Sequence, residues 1–597
     1  MEVKRVLSFF LIFVMLFALA SCSDLARLLK EAGEALETVT ASETGSESEP
    51  ASPSETESES ASGTGTASET GNASETDTAS ETETASETDA ASESESASES
   101  GGSGIDVFDD PEGYNPIMNS VADIPPLLSS LQLFKSYDYD SVMDENGYPL
   151  ATVSWEKLTL SSPAEINHPE LAAVLNAINE NTAIDAKNEL ANLAELGRNE
   201  PVADGDPYHA NYELLVKRAD EKALSILLRK TVADADGYHA LYEGYVLSPD
   251  TGEVLPIEQM IVSEGALYDA FLREYDKQAS PGYLADPRAT FEKVIGENKL
   301  TWLLEPDGVV FYLSPGTYAD PGDGLVKIAL PFRDNRELYP GDVTEVAENY
   351  VVPFFQEETV RVPLDDGSDF TMDAWLSYDE YGVYYESMHV DIGEEPYVFE
   401  TDGVDADFYF VKTPAHRLLV VNSVQAGTHG NFTIYTLDEG RPVFFADLTG
   451  ESLSGAYYAL DKYADCVFTD PTCFLLSSKI DNLSTYTGVR LFSFGEGVVP
   501  QPNDHTYLIL CDFSLTVKKD TEFELLYSET RRPTGEKVVV KAGTVLSFVR
   551  TNRNSFVEMT DGEGLFVRVE MDEPLVMPPT LGGVPADEIF DGIMYAG

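Results

Sequence analysis

The 597-residue sequence predicts a multidomain, strand-dominated protein: an α+β domain with helices covering an antiparallel sheet, then an all-β region, then a small β-barrel. Three observations carry that prediction. About 490 residues follow a low-complexity stretch, too many for one core and enough for two or three domains. Thirty Tyr, 29 Phe, 43 Gly and 33 Pro suit pleated strands joined by tight turns. Beyond the low-complexity stretch, helical periodicity is confined to two segments before residue 280.

The N-terminus reads as an export signal. Lys4 and Arg5 precede an apolar stretch from Val6 to Ala20, short for a bilayer span but suited to a secretory signal. The run Leu19-Ala20-Ser21-Cys22 resembles the lipobox of bacterial lipoproteins. That resemblance makes residues 1–22 a signal peptide and lipobox. It implies a diacylglycerol on Cys22, which becomes the mature N-terminus on the outer face of the bacterial cytoplasmic membrane. Two acyl chains suffice for stable anchoring. The alternative is a soluble secreted protein with an incidental Cys22.

Residues 23–104 form a connector. Leu25, Leu28, Leu29, Ala32 and Leu36 recur at helical spacing, as an amphipathic segment at the lipid surface or a frayed lead into a linker. From Ala41 to Gly104 the chain has no aromatic residue, no Leu or Val, and no Lys or Arg. It cannot bury enough apolar surface to offset chain ordering, so disorder is expected. A coil of that length spans roughly 45 Å root-mean-square, with a contour limit of about 220 Å. It reads as a tether.

The net charge of −69 is not a property of the tether, whose sixteen acidic residues leave −53 elsewhere. Nucleic acid is excluded as a partner, because phosphate binding needs a basic stripe. Cationic partners are favoured, although plain solubility of an exported protein explains the charge as well. Besides Cys22 there are Cys466, Cys473 and Cys511. Cys466 and Cys473 either close a small loop or remain free thiols.

The α+β domain is placed at residues 105–339. A strand over 147–160 leads to a helix starting near Asn167, with Pro169 in its first turn, Leu171, Val174, Leu175 and Ile178 on one face, and Gly197 past its end. Strands follow over 212–216, 223–228 and 238–247. A second helix runs from about Glu264 to Tyr275, capped by Ser263. After an irregular stretch come strands over 300–304, 309–313 and 325–331.

Several motifs here resemble the extracytoplasmic domain of RsiV-type anti-sigma factors, also attached to some polysaccharide deacetylases. They are Leu224-Ser225-Ile226, Gly237-Tyr238-His239-Ala240, Asp250-Thr251-Gly252-Glu253-Val254-Leu255, Trp302 to Tyr312, and Tyr318-Ala319-Asp320 to Phe332. The chain departs from the family's usual Gly-Gly-Ala-His at 237–240. In RsiV the domain captures lysozyme, so the resemblance implies a cationic protein ligand.

A local echo is independent of any family. Val202 to Ala210, with Asp204, Asp206, Tyr208 and His209, returns thirty residues later as Val232 to Ala240, with Asp234, Asp236, Tyr238 and His239. Thirty residues is one strand out and one back, so both copies are expected at the same end of the sheet. These eight residues are candidate ligands for a cation or sugar. Two acidic loops feeding similar strands explain the echo equally simply, and that reading is favoured.

Residues 340–504 carry strand patterns over 408–412, 418–421, 432–437, 443–446 and 489–494, in an order repeated loosely at about 55 residues. Propeller-like blades or a β-sandwich fit this. Residues 505–597 alternate as short strands, and Gly564 to Val569 resembles the closing strand of bacterial SH3-like domains. That resemblance implies a small barrel and, in some members, binding to cell-wall peptides. Residues 516–571 hold nine basic and nine acidic side chains, so this piece is neutral in an acidic chain.

No catalytic signature is found. The seven histidines form no His-Glu-x-x-His, and no Gly-x-Ser-x-Gly or phosphate-binding loop occurs. No cofactor or metal site is expected. Three functions remain: a non-enzymatic lipoprotein binding a cationic extracellular protein such as lysozyme, a lipoprotein holding peptidoglycan through its SH3-like end, and a carbohydrate-active enzyme with an unrecognised carboxylate pair. An anti-sigma role is not expected, since no cytoplasmic domain precedes the apolar segment.

Overall fold

Among the described residues strand dominates, at 49% against 17% helix, in several sheets of which none closes on itself. The computed structural model describes residues 131–597, except 200–206, 236, 298, 342, 365, 380–383, 425–429, 456, 460–461, 504, 511–512, 529, 574–575 and 596–597. Cys22, the connector, Asp204, Asp206, Asp236 and Cys511 lie outside the described residues. Among those described, no helix is long and apolar enough to cross a membrane.

The first sheet is built from β1 (Leu133–Met143), β2 (Pro149–Leu160), β3 (Tyr208–Ala219), β4 (Leu224–Asp234) and β5 (Gly237–Leu247), in sequence order. Only β2 and β3 run parallel, because the chain between them crosses over through α1 (Ser162–Asn167) and the long α2 (Pro169–Asn199). The Ser161 side chain caps α1, accepting from Ala164 N. Leu171, Leu175, Ile178, Leu190 and Leu193 of α2 bury against Trp155, Leu214 and Val216 of the sheet. Gly197 falls inside α2 rather than beyond it. A Cβ there would sit 3.0 Å from Leu150 O, so the glycine serves close helix-to-strand approach.

Two features of this sheet were not predicted. One is β1 itself, whose Lys-Ser-Tyr-Asp-Tyr-Asp run has no apolar alternation. The other is its completion from far along the chain. The short strands Tyr457–Ala459 and Lys462–Cys466 extend the sheet beyond β1, pairing Phe134 with Cys466 and Lys135 with Asp465.

The face of β4 and β5 turned away from α2 is covered by α3 (Glu264–Gln278), α4 (Pro287–Gly296) and a three-stranded sheet of β6 (Thr301–Glu305), β7 (Gly308–Leu313) and β8 (Val326–Pro331). Ser263 caps α3 and Asp286 caps α4. The α4 segment read as irregular in the sequence, because Phe291, Val294 and Ile295 are too few for a clear stripe. β5 crosses β6 so closely that a Cβ on Gly244 would stand 2.6 Å from Trp302 O.

Downstream strands stack in layers. β9 (Tyr350–Phe354) pairs with β14 (Asp405–Lys412), and β15 (Arg417–Val424), β16 (Asn431–Thr436) and β17 (Val443–Thr449) complete a five-stranded sheet. β10 (Val360–Pro363), β11 (Asp369–Tyr378), β12 (Tyr385–Ile392) and β13 (Glu395–Gly403) form a four-stranded meander. Alternate residues of β14 serve two cores. Phe408 and Phe410 pack against Met388 and Val390 of the meander, while Tyr409 and Val411 pack with Phe474 and Phe492 on the other side. The centre of the five-stranded sheet, at β15, is therefore buried on both faces.

The last sheet has twelve strands and spans Glu451–Ser452 to Phe590–Asp591. Pairing runs without interruption across residue 504, from Val489 to Leu508 and from Tyr507 to Thr551, so the C-terminal strands share their sheet with the middle region. Cys466 and Cys473 are free thiols.

A buried ion network joins these layers. The Lys217 ammonium, on β3, pairs with Glu358 at 2.7 Å and donates to Pro353 O. Lys327, on β8, pairs with the same carboxylate at 2.7 Å, and Phe355 N donates to its other oxygen. Burial alone would push Glu358 up, but the two lysines overcome it and hold the carboxyl down at about 2.

Candidate functional site

The echoed motif lies where its spacing predicts, at one end of the first sheet on either side of β4. Ala233 is opposite His209 on one side and Tyr238 on the other, and Val232 likewise separates Ala210 from His239. Paired residues share a face and neighbours alternate, so the two copies are offset by one position. His209 and Tyr238 fall on one face, with Tyr208 and His239 on the other. Tyr208 is buried in the α2 core, whereas Tyr238 is 67% exposed. His239 Nε2 lies 3.3 Å from Asp234 Oδ1. The fold thus does not gather the described members of the eight candidates into one constellation.

A different cluster does converge, in a crevice between the first sheet and β14. Lys135 and Glu156 come from β1 and β2, Glu213 from β3, Asp405 and Asp407 from β14, and Asp465 from the strand added beside β1. Lys135 Nζ pairs with Glu156 Oε1 at 2.9 Å, and the other Glu156 oxygen accepts from Leu214 N, where the parallel pairing of β2 and β3 has ended. The Arg229 guanidinium forks onto Glu213 with two 2.8 Å bonds and stacks 3.5 Å from the Phe355 ring centroid. Asp465 Oδ1 accepts from Gly455 N at 2.6 Å. Five carboxylates face two cations.

The electrostatics follow from that imbalance. Burial opposes the Lys135 ammonium, yet Glu156, Asp407 and Tyr409 more than offset it and hold its pKa well above the ordinary value. Burial pushes Glu156 up as well, against the pull of Lys135. Burial raises Asp405 to about 7, helped by Asp407 beside it, although Asp405 keeps an exposed edge. Asp465 is likewise raised by burial to about 7 despite the Gly455 amide and Lys135. Near neutral pH the crevice holds protons it can lose and presents carboxylates to a cationic group. Among the described residues, no group of three His, Cys, Asp or Glu side chains has the geometry of a metal site.

Comparison with known proteins adds little. No family model matches the chain, and no curated protein does. Two solved structures are similar over part of it. One is a DUF3298 family protein from Pseudomonas aeruginosa PAO1, at 12% identity over 36% of this chain and 98% of that one, with a TM-score of 0.26. The other is a DUF3298 family member from Bacteroides fragilis NCTC 9343, at 12% identity over 36% of this chain and 95% of that one, with a TM-score of 0.23. Likenesses of this size assign neither fold nor activity to this chain.

Sequence reasoning missed the crevice. Lys135 and Asp465 are strand neighbours more than three hundred residues apart in sequence, and no local pattern couples them. The one available signal was Asp405-x-Asp407, two acidic residues on one face of a strand that is otherwise apolar up to Val411.

Proposed function

We propose that this chain is a surface lipoprotein, anchored through Cys22 to the outer face of the bacterial cytoplasmic membrane, that binds a cationic extracellular protein without catalysing a reaction. The carboxylate crevice carries the reading. Five acidic groups with two counter-cations make a site that a basic side chain would complete, in a protein whose excess negative charge steers basic partners toward it. The run Leu19-Ala20-Ser21-Cys22 supports the anchor, and residues 41–104 supply reach. In this reading residues 105–339 are an RsiV-like α+β domain, and lysozyme is the cationic protein to try first.

Labelling with radioactive palmitate tests the anchor, and Cys22→Ser should abolish the label. Pull-down of lysozyme by the tether-to-C-terminus chain, at low and at moderate salt, tests the ligand. Retention that weakens with salt is expected, as surface charges are screened beyond about 8 Å at physiological ionic strength. No retention at either salt removes the ligand class.

A second reading rests on the neutrality of residues 516–571, which lets an SH3-like end approach an anionic wall that repels the rest. Co-sedimentation of the chain with purified peptidoglycan, lost when residues 505–597 carry added acidic side chains, would favour it.

A further inference from the structure

Among the described residues β17 pairs only with β16, as an edge strand, and it leaves Val443 38%, Phe444 51% and Phe445 49% exposed. Three consecutive large apolar residues on an unpaired edge are a docking or aggregation feature. They continue an aromatic row from the interior. Phe444 packs edge-on to buried Tyr435 at 5.9 Å, and Tyr435 packs on Phe399 of β13 at 4.6 Å. β13 is itself the terminal strand of the neighbouring sheet among the described residues.

The surroundings choose the occupant. Asp447 lies on β17 near Tyr435, its oxygens accepting from Thr433 and Thr449, and burial pushes its carboxyl up. Glu395 of β13 accepts only a tyrosine hydroxyl, and among the described residues no cation pairs with Asp447, Glu395 or Glu400. The nearby Arg441 is taken by Glu439. A second copy of the chain is disfavoured. A net charge of −69 repels a copy.

We propose that β17 accepts an extended, basic segment of a partner protein as an added strand, its apolar side chains covering Phe444 and Phe445 and its cations meeting Asp447 and Glu395. Strand addition supplies main-chain hydrogen bonds for affinity and alternate side chains for specificity. This rests on the reading that the chain captures a cationic protein.

The test titrates the chain with a labelled nine-residue peptide of alternating Lys and Val, followed by fluorescence anisotropy. Controls are the same peptide with N-methylated amides along one edge and a Glu/Val counterpart. Saturable binding of the Lys/Val peptide is expected, with at least tenfold loss on N-methylation and in Phe444→Ser/Phe445→Ser, and none for the Glu/Val peptide. Phe445→Thr, which keeps strand propensity, should give an intermediate loss with an unchanged melting temperature. No saturable binding, or binding indifferent to N-methylation and to the substitutions, overturns the proposal. If the peptide fails to bind while the unmodified chain still retains lysozyme, this edge is wrong while the cationic-ligand reading stands; if the unmodified chain retains none, that reading falls by itself.

Discussion

Glu358 and Asp405 are acidic residues in crowded surroundings whose charges the fold treats in opposite ways. Glu358 has two lysines within 2.7 Å, and its ionised form is stabilised. Its pKa drops from 4.5 to about 2, so its contribution is complete above pH 4.5 and is lost as pH falls toward 2. Glu358→Gln should cost about 3–5 kcal/mol at pH 7, because the buried Lys217 charge is left uncompensated. Urea unfolding monitored by tyrosine fluorescence measures that. Asp405 has Asp407 beside it, and its pKa rises from 3.8 to about 7. The sign reverses: between pH 3.8 and 7 the folded state binds more protons than the unfolded one, so stability falls as pH rises through that window. Asp405→Asn should therefore raise the melting temperature at pH 8 and leave it nearly unchanged at pH 4. A larger gain at pH 4 than at pH 8 would contradict the crevice electrostatics.

Elements were legible where local chemistry sets them. Ser263 and Pro169 mark the starts of α3 and α2, and the Pro306-Asp307-Gly308 turn joins β6 to β7 as its composition implies. Elements set by distant partners were not legible. β1 is a strand because β2 and residues 462–466 flank it, and its own Tyr-Asp-Tyr-Asp run carries no sign of that. The strands of the four-stranded meander, β10 to β13, were missed although Phe370, Met372, Ala374 and Leu376 of β11 alternate with outward residues as in a half-buried strand. Gly244 shows how tightly such packing constrains sequence. A side chain there must displace the Trp302 carbonyl, so Gly244→Val should destabilise by about 1–3 kcal/mol or more, seen as a lowered denaturation midpoint. An unchanged midpoint would mean that β5 and β6 can separate without loss.

For the whole molecule, composition foretold a strand-rich chain and its charge, but not how the strands share sheets. The expected limits at 339 and 504 are local changes of pattern, whereas pairing joins residue 134 to 466 and 489 to 508 across them. The candidate site fails to show in the sequence for the same reason, since its carboxylates come from four separate stretches of chain. The echo of residues 202–210 in 232–240 was legible as a pattern, and its shared sheet end follows from spacing. Its one-residue offset could be seen only once register was known.

The strand Lys462–Cys466 on the outer flank of β1 also imposes an order on folding. Chain synthesis delivers β1 more than three hundred residues before its partner, and long-range strand pairing is slow because loop closure must come first. Until residue 466 arrives, β1 waits with one edge open, so the first sheet is among the first to begin and the last to be finished. A fragment ending near residue 339 would remain permanently in that waiting state, with a bare edge available to other chains.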